Sequence, residues 1–198
     1  YNTSDYYAIE QDYGSMEDFE NLVAEAKKYG IKIILDLVLN HVSDQHPWFT
    51  KALNNDPQYS DYFVWSKDLP EGYGKAWGEE VDSTAVWHKK EERNDWYYGV
   101  FGWGEPDLNY DHPPLVEEMF NVAKFWLDKG VDGFRLDAIR DMKEEGGLAG
   151  QADTESNFEF LRNFRTHIKK INPNAFLIGE ALSASESVSP YYDGGRGL

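Results

Sequence analysis

Three side chains near the ends of short apolar runs have the types and spacing for acid–base or nucleophilic chemistry: Arg135, Asp137 and Glu180. Arg135 and Asp137 are two apart in the run 131–137, which puts both on one face of a strand. A guanidinium beside a carboxylate keeps it ionised, as a nucleophile requires, and a structural ion pair does the same. Glu180 ends the next run, after Phe176, Leu177 and Ile178. An apolar neighbourhood favours the neutral carboxyl that a general acid needs. On adjacent parallel strands about 4.8 Å apart, two such carboxyls face one pocket at about 5–5.5 Å. That is the separation of retaining glycosidases; inverting ones need about 6.5–9.5 Å. An earlier run ends in Asp36, with Asn40 and His41 just beyond. Any one of these residues reads equally well as a helix cap or a loop carboxylate. Polar groups at three successive strand ends read as a site.

The elements that must position these residues follow from the pattern. Ser15 is an N-cap with Glu17 and Asp18 behind it, Phe19, Leu22, Val23 and Ala26 recur at helical spacing, and Gly30 stops the helix. Residues 31–38 form a β-branched strand. Residues 42–112 have no period and are rich in Trp, Tyr, Gly and Pro, which fits a small inserted subdomain better than a loop. A helix runs from Pro113 to Lys129, closed by Gly130, and the strand 131–137 follows. After a Gly-rich loop at 143–153 comes a helix over 155–171, with Phe158, Leu161, Phe164 and Ile168 on one face. Residues 175–180 make the third strand. Alternating helices and strands imply a parallel sheet, in a doubly wound or a barrel arrangement. Site residues gathered at the C-terminal strand ends favour the barrel.

Composition narrows the partners. The 198 residues carry 36 acidic and 19 basic side chains, a formal charge of −17. That argues against nucleic acid and against anionic membranes. No apolar run is long enough to span a bilayer. There is no cysteine, hence no disulfide framework or thiolate metal site, and the compartment stays open. Aromatic residues make up 16 %, which suits sugar stacking as well as ordinary cores.

Several motifs in register resemble the α-amylase family, glycoside hydrolase family 13. They are Asp36-Leu37-Val38-Leu39-Asn40-His41, Gly133-Phe134-Arg135-Leu136-Asp137 and Gly179-Glu180. Glu105-Pro106-Asp107-Leu108-Asn109 resembles the region near the end of that family's insert, and Tyr1 to Tyr6 the stretch after the second barrel strand. The resemblance implies an α/β fold, part of a (β/α)8 TIM barrel covering about strands 3 to 5, with a small inserted domain after strand 3. The segments are 1–41 (barrel), 42–112 (insert) and 113–198 (barrel).

By the same resemblance the protein is a retaining α-glycosidase of the α-amylase or α-glucosidase type, acting on α-glucans or malto-oligosaccharides. Asp137 attacks the anomeric carbon, Glu180 is the acid/base and Arg135 orients Asp137. His41 bonds the sugar in the cleaved-unit subsite, and Tyr1 stacks on it. Asn40 and Asp107 match positions that ligate a structural Ca²⁺ in many amylases; for Asn40 a loop hydrogen bond is the alternative. No cofactor is required for the chemistry. Asp36 is read as a structural hydrogen-bonding residue. The sequence departs from the family at Arg140-Asp141, where many amylases have Lys-His, at Glu105, where Gln or Met is common, and at Asn2, which is Asp in many α-glucosidases.

The family's third carboxylate comes from the seventh barrel strand. After Glu180 only Glu186 and Asp193 are acidic, and neither stands in that motif. The chain is therefore expected to be a central fragment, inactive and poorly folded alone because its sheet has bare edges. Two other readings compete. One is a non-catalytic binding or trafficking relative, disfavoured because Arg135, Asp137 and Glu180 are all present. The other is a metal hydrolase using Asp36, His41, His112 and Glu180, disfavoured because no HxH or HExxH spacing occurs.

Overall fold

The computed structural model describes residues 1–182 and 185–192, with 185–187 as backbone only. Asp193 and the Glu186 side chain lie outside the described residues. Helix α1 spans Met16–Lys28. It begins with a reciprocal capping box: the Asp18 amide donates to Ser15 Oγ at 3.2 Å, and the Ser15 amide to the Asp18 carboxylate at 2.8 Å. It ends with Gly30 at φ +70°, where Gly30 and Ile31 donate to the carbonyls of Lys27 and Ala26. This left-handed cap suits glycine. It also shortens the strand that follows. Ile31 is bonded back to the helix and Ile33 donates to the Asp132 carboxylate, so β1 is Ile34–Val38 rather than 31–38.

Beyond β1 the chain builds the insert. Helix α2 (Pro47–Leu53) is capped by His46, and the strands β2 (Trp65–Ser66), β3 (Trp87–Lys90) and β4 (Arg93–Tyr98) form an antiparallel sheet in the order β2-β4-β3. Helix α3 (Pro113–Asp128) leads to β5 (Gly133–Asp137), α4 (Glu155–Ile171) to β6 (Phe176–Gly179), and α5 (Ser185–Tyr192) follows. Among the described residues no helix is long and apolar enough to cross a membrane.

Strands β1, β5 and β6 pair in parallel in that order. Their register sets Asp36 beside Arg135, Val38 beside Asp137 and Leu136 beside Gly179. The two faces of this sheet differ. Leu37, Phe134 and Leu136 are buried in one core with Met119 and Val122 of α3 and Phe164 and Ile168 of α4. The opposite face carries Asp36, Arg135, Asp137 and Glu180 above three exposed apolar side chains, Ile34, Phe176 and Ile178. Alternation along the strands makes this split. A barrel interior has that composition, since its inward side chains are covered by those of the other strands.

The insert is fastened to the end of β1. Tyr110 Oη donates to the Leu39 carbonyl at 2.6 Å, and Tyr6 Oη, from the segment before α1, donates to the neighbouring Val38 carbonyl at 2.7 Å. Single bridges join His41 to Asp107 and Phe63 to Leu108. Phe49, Phe63 and Tyr97 extend the main core into the insert, and Tyr73, Val86, Trp87, Tyr98 and Val100 form a second core of their own.

Candidate active site

Parallel register brings the chemistry to one end of the sheet. The Glu180 amide donates to the Leu136 carbonyl at 2.8 Å, so the ladder continues one step past β6 and sets Glu180 beside Asp137. A cavity of about 440 Å³ opens there. Tyr1, His41, Arg135, Asp137 and Glu180 all line it, together with Trp77, Phe101, Glu105, Ala138, Arg140, Asp141 and Leu182.

Arg135 is the hub. Its Nη1 donates to Asp137 Oδ1 at 2.6 Å and to Asp36 Oδ1 at 2.8 Å, and its Nη2 lies 3.1 Å from Glu180 Oε2. One guanidinium thus serves three carboxylates. Asp36 sits mid-strand in β1 rather than at its end, where it accepts from Arg135 and, at 3.3 Å, from Tyr1 Oη. Tyr1 is exposed, with the Arg135 guanidinium 5.5 Å from its ring. Asp36 raises the Tyr1 pKa.

One electrostatic expectation and one packing expectation are corrected. Burial raises the Asp137 pKa above the usual carboxylate value, against the lowering by Arg135 and with a further rise from Glu180. Burial therefore outweighs Arg135. The apolar wall expected around Glu180 is open. Phe176 and Ile178 are on its face but exposed, and the Glu180 side chain is itself 44 % exposed and held by Arg135.

His41 is buried and burial lowers its pKa to about 4, leaving it neutral near pH 7. Its Nδ1 lies 3.4 Å from Asn40 Nδ2, and its Nε2 has no hydrogen-bond partner. Asn40 and Asp107 are buried side by side in the fold, with Asn40 Oδ1 and Asp107 Oδ2 unpartnered. Burial holds the Asp107 pKa well above the carboxylate range. Two orphaned oxygens are the donor type that calcium takes. Among the described residues, however, no three acidic or histidine side chains converge as a metal set. The structure also keeps His112 apart from the other residues of the metal-hydrolase reading. It precedes α3, its ring is 5.8 Å from that of Tyr62, and it does not line the cavity.

Of the positions that depart from the family's motifs, Arg140 and Glu105 have defined neighbours. Arg140 grips Asp153 through Nε at 3.0 Å and Nη2 at 2.6 Å, and donates from Nη1 to the Leu182 carbonyl at 2.7 Å. It thereby ties the loop after β5 to the loop after β6. Burial raises the Asp141 pKa to about 7. Glu105 Oε1 stands 4.0 Å from His41 Nε2. Sequence reasoning missed Trp77, Phe101, Ala138 and Leu182 as cavity residues. Trp77 and Phe101 come from the aperiodic insert, where no spacing marks which aromatics face the cavity. Ala138 and Leu182 directly follow motif residues, and that adjacency was the available signal.

The description "Alpha amylase, catalytic domain" matches residues 1–197. The chain is 41 % identical to "Alpha-amylase 3" of Dictyoglomus thermophilum over 98 % of its length and 35 % of the relative's. It is 37 % identical to an α-glucosidase of Culex pipiens, over 98 % of the chain and 37 % of that protein. It overlays a solved "Family GH13_31 enzyme" with a TM-score of 0.86 at 36 % identity, covering 97 % of the chain and 38 % of the enzyme. It overlays an α-amylase from H. orenii with a TM-score of 0.79 at 38 % identity, covering 100 % and 38 %. The chain therefore spans little more than a third of the proteins it resembles, and its three parallel strands are part of their (β/α)8 barrel. Shared motifs, a polar strand-end cluster and a match along nearly its whole length place this chain in the α-amylase family, glycoside hydrolase family 13.

Proposed function

We propose that the protein containing this chain cleaves α-glucosidic bonds of malto-oligosaccharides or starch-like glucans with retention of configuration. The observation that carries the reading is the placing of Asp137 and Glu180 at adjacent strand ends around the shared Arg135. Asp137 attacks the anomeric carbon while the glycosidic C–O bond breaks, and Glu180 gives its proton to the leaving oxygen. Water then displaces Asp137, losing its proton to Glu180. Arg135 aims Asp137 and stabilises its ionised form, and a neutral His41 offers a ring nitrogen to a sugar hydroxyl. Tyr1 stacks on the same sugar. Relatives include enzymes named α-amylase, α-glucosidase and maltase, which supports the substrate class.

The test is to trap the glycosyl-enzyme with a slow fluorinated α-glucoside and map the labelled peptide. Label on Asp137, and a loss of turnover of about 10⁴-fold or more in Asp137→Asn, is expected. Full activity in that variant would end the reading, and would favour a non-catalytic role. We also infer that residues 1–198 alone do not turn over substrate, because the inner face of the sheet is uncovered and the third carboxylate has no counterpart among them. Release of reducing sugar by the purified 198-residue chain would contradict this.

Asn40 and Asp107 would hold a structural calcium between β1 and the insert. Bound there, calcium would supply charge compensation for the buried Asp107. Calcium should raise the melting temperature of the whole protein, and Asp107→Asn should remove that response.

A further inference from the structure

One side chain joins the two loops that leave the carboxylate-bearing strands. β5 ends at Asp137, and Arg140 stands three residues on. β6 ends at Gly179, and Glu180 follows, with Leu182 two residues beyond it. The backbone around Glu180 is held on both sides. Its own amide donates to the Leu136 carbonyl at 2.8 Å, and Arg140 Nη1 donates to the Leu182 carbonyl at 2.7 Å. Packing does not fix this stretch, because the side chains of Glu180 and Leu182 are both exposed.

Arg140 is itself gripped. The Asp153 carboxylate accepts from its Nε at 3.0 Å and from its Nη2 at 2.6 Å, and both side chains are mostly buried. Asp153 takes a left-handed φ of +58°, which aspartate tolerates better than most residues, and its amide donates to the Arg140 carbonyl at 3.0 Å. Buried Tyr191 donates from Oη to the Asp153 carboxylate, and buried Asn157 donates from Nδ2 to the carbonyls of Ile139 and Arg140 at 2.6 and 3.2 Å. A bidentate pair inside such a network holds a geometry that an isolated surface pair does not. Arg140 lines the cavity and Asp153 does not, so Asp153 reaches the site through Arg140. We propose that Arg140 and Asp153 are positioning residues for the acid/base: by holding the Leu182 carbonyl they set the Glu180 carboxyl where it can give its proton to the leaving oxygen while Asp137 attacks. The proposal rests on the reading of Asp137 as nucleophile and Glu180 as acid/base. Proton transfer is sensitive to such placing, because a shift of about 1 Å in a reacting group costs about 10²-fold in rate.

The test uses the whole protein and a series of aryl α-maltotriosides that differ in the acidity of the phenol released. With these substrates kcat/KM reports formation of the glycosyl-enzyme. A weakly acidic phenol needs the proton of Glu180, whereas dinitrophenol leaves without it. Arg140→Gln should therefore lose about 10–100-fold on the phenyl glycoside and less than about threefold on the dinitrophenyl one. Asp153→Asn keeps a side chain suited to the left-handed turn and should show the same dependence with a smaller loss. It decides the matter if Arg140→Gln does not fold. The double variant should lose no more than Arg140→Gln alone, because Asp153 acts through Arg140. A latch that serves only the fold would lower every substrate alike. An even loss across the series, no loss at all, or multiplied losses in the double variant overturns the proposal alone, provided Glu180→Gln depends steeply on the phenol. A flat dependence in Glu180→Gln overturns the acid/base reading and the proposal with it.

Discussion

The two sheets of this chain are built on opposite plans. The antiparallel sheet of the insert carries its own core. Val86, Trp87 and Tyr98 are almost fully buried in it, and tilted rings such as Trp87 against Tyr98 at 5.1 Å fill it. The parallel sheet is finished on one side only. Its outer face is sealed by α3 and α4, while the face bearing Arg135, Asp137 and Glu180 also shows Ile34, Phe176 and Ile178 to solvent. The insert is thus stabilised by a core of its own, beside the part of the main core that Phe49, Phe63 and Tyr97 extend into it. The face bearing Arg135, Asp137 and Glu180 is arranged by its register and its ion pairs, and its apolar layer is of the kind that further barrel strands cover. Order and chemistry are carried by different parts of the molecule.

Two substitutions can break this contrast. The larger effect is expected at Gly133, which pairs with Phe176 at φ +154°. A Cβ there would stand 1.8 Å from the Phe176 carbonyl oxygen. Gly133→Val should therefore separate β6 from β5 and cost more than about 4 kcal/mol. Hydrogen exchange should show lost protection in β5 and β6 while amides of β3 and β4 stay protected. Loss of protection in both sheets together would show one cooperative unit and erase the distinction. The converse substitution is Trp87→Ala. It empties the insert's second core and should cost about 3–5 kcal/mol, with protection lost first in β3 and β4. A smaller effect, or one spread evenly over the parallel sheet, would mean that the insert does not stabilise itself.

The same contrast explains what was legible in the sequence. The parallel part was readable because each element has a local cause. Ser15 and Asp18 cap α1, the helical stripe of α4 puts Leu161, Phe164 and Ile168 in the core, and Gly30 and Gly130 end helices in matching ways. Arg135 and Asp137 met as their two-residue spacing required. What failed was non-local. The balance of charge at Asp137 is set first by its burial and then by Arg135 and by Glu180, which comes from a different strand. The strand 31–38 was too long because a helix cap and the Asp132 carboxylate claim its first amides. In the insert, pairings such as Trp65 with Tyr97 join segments 32 residues apart through short strands with no repeating pattern, so the sheet and the orientation of Trp77 could not be read.

The smallest effect sharpens the comparison through pH. His46 caps α2, accepting from the Trp48 amide at 3.1 Å through Nδ1, while its Nε2 is buried without a partner. The rings of Trp48 and Tyr6 pack on it at 4.5 and 5.6 Å. Burial lowers its pKa from 6.5 to about 4, only partly opposed by Asp5. The unfolded chain therefore takes up a proton near pH 6.5 that the folded chain refuses until about pH 4. The stabilisation is complete above pH 6.5 and is lost as pH falls through that window, by about 3 kcal/mol in all. Asp137 acts with the opposite sign. Its raised pKa lets the folded state keep a proton longer, so its contribution fades as pH rises. Urea unfolding at pH 7.5 and pH 4.5 should show the insert weakening with acid. His46→Asn preserves a capping side chain without the titration, so its loss over the same interval should be smaller by about 2–3 kcal/mol. Parallel pH slopes for the two proteins would show that acid sensitivity does not reside in the insert's buried histidine.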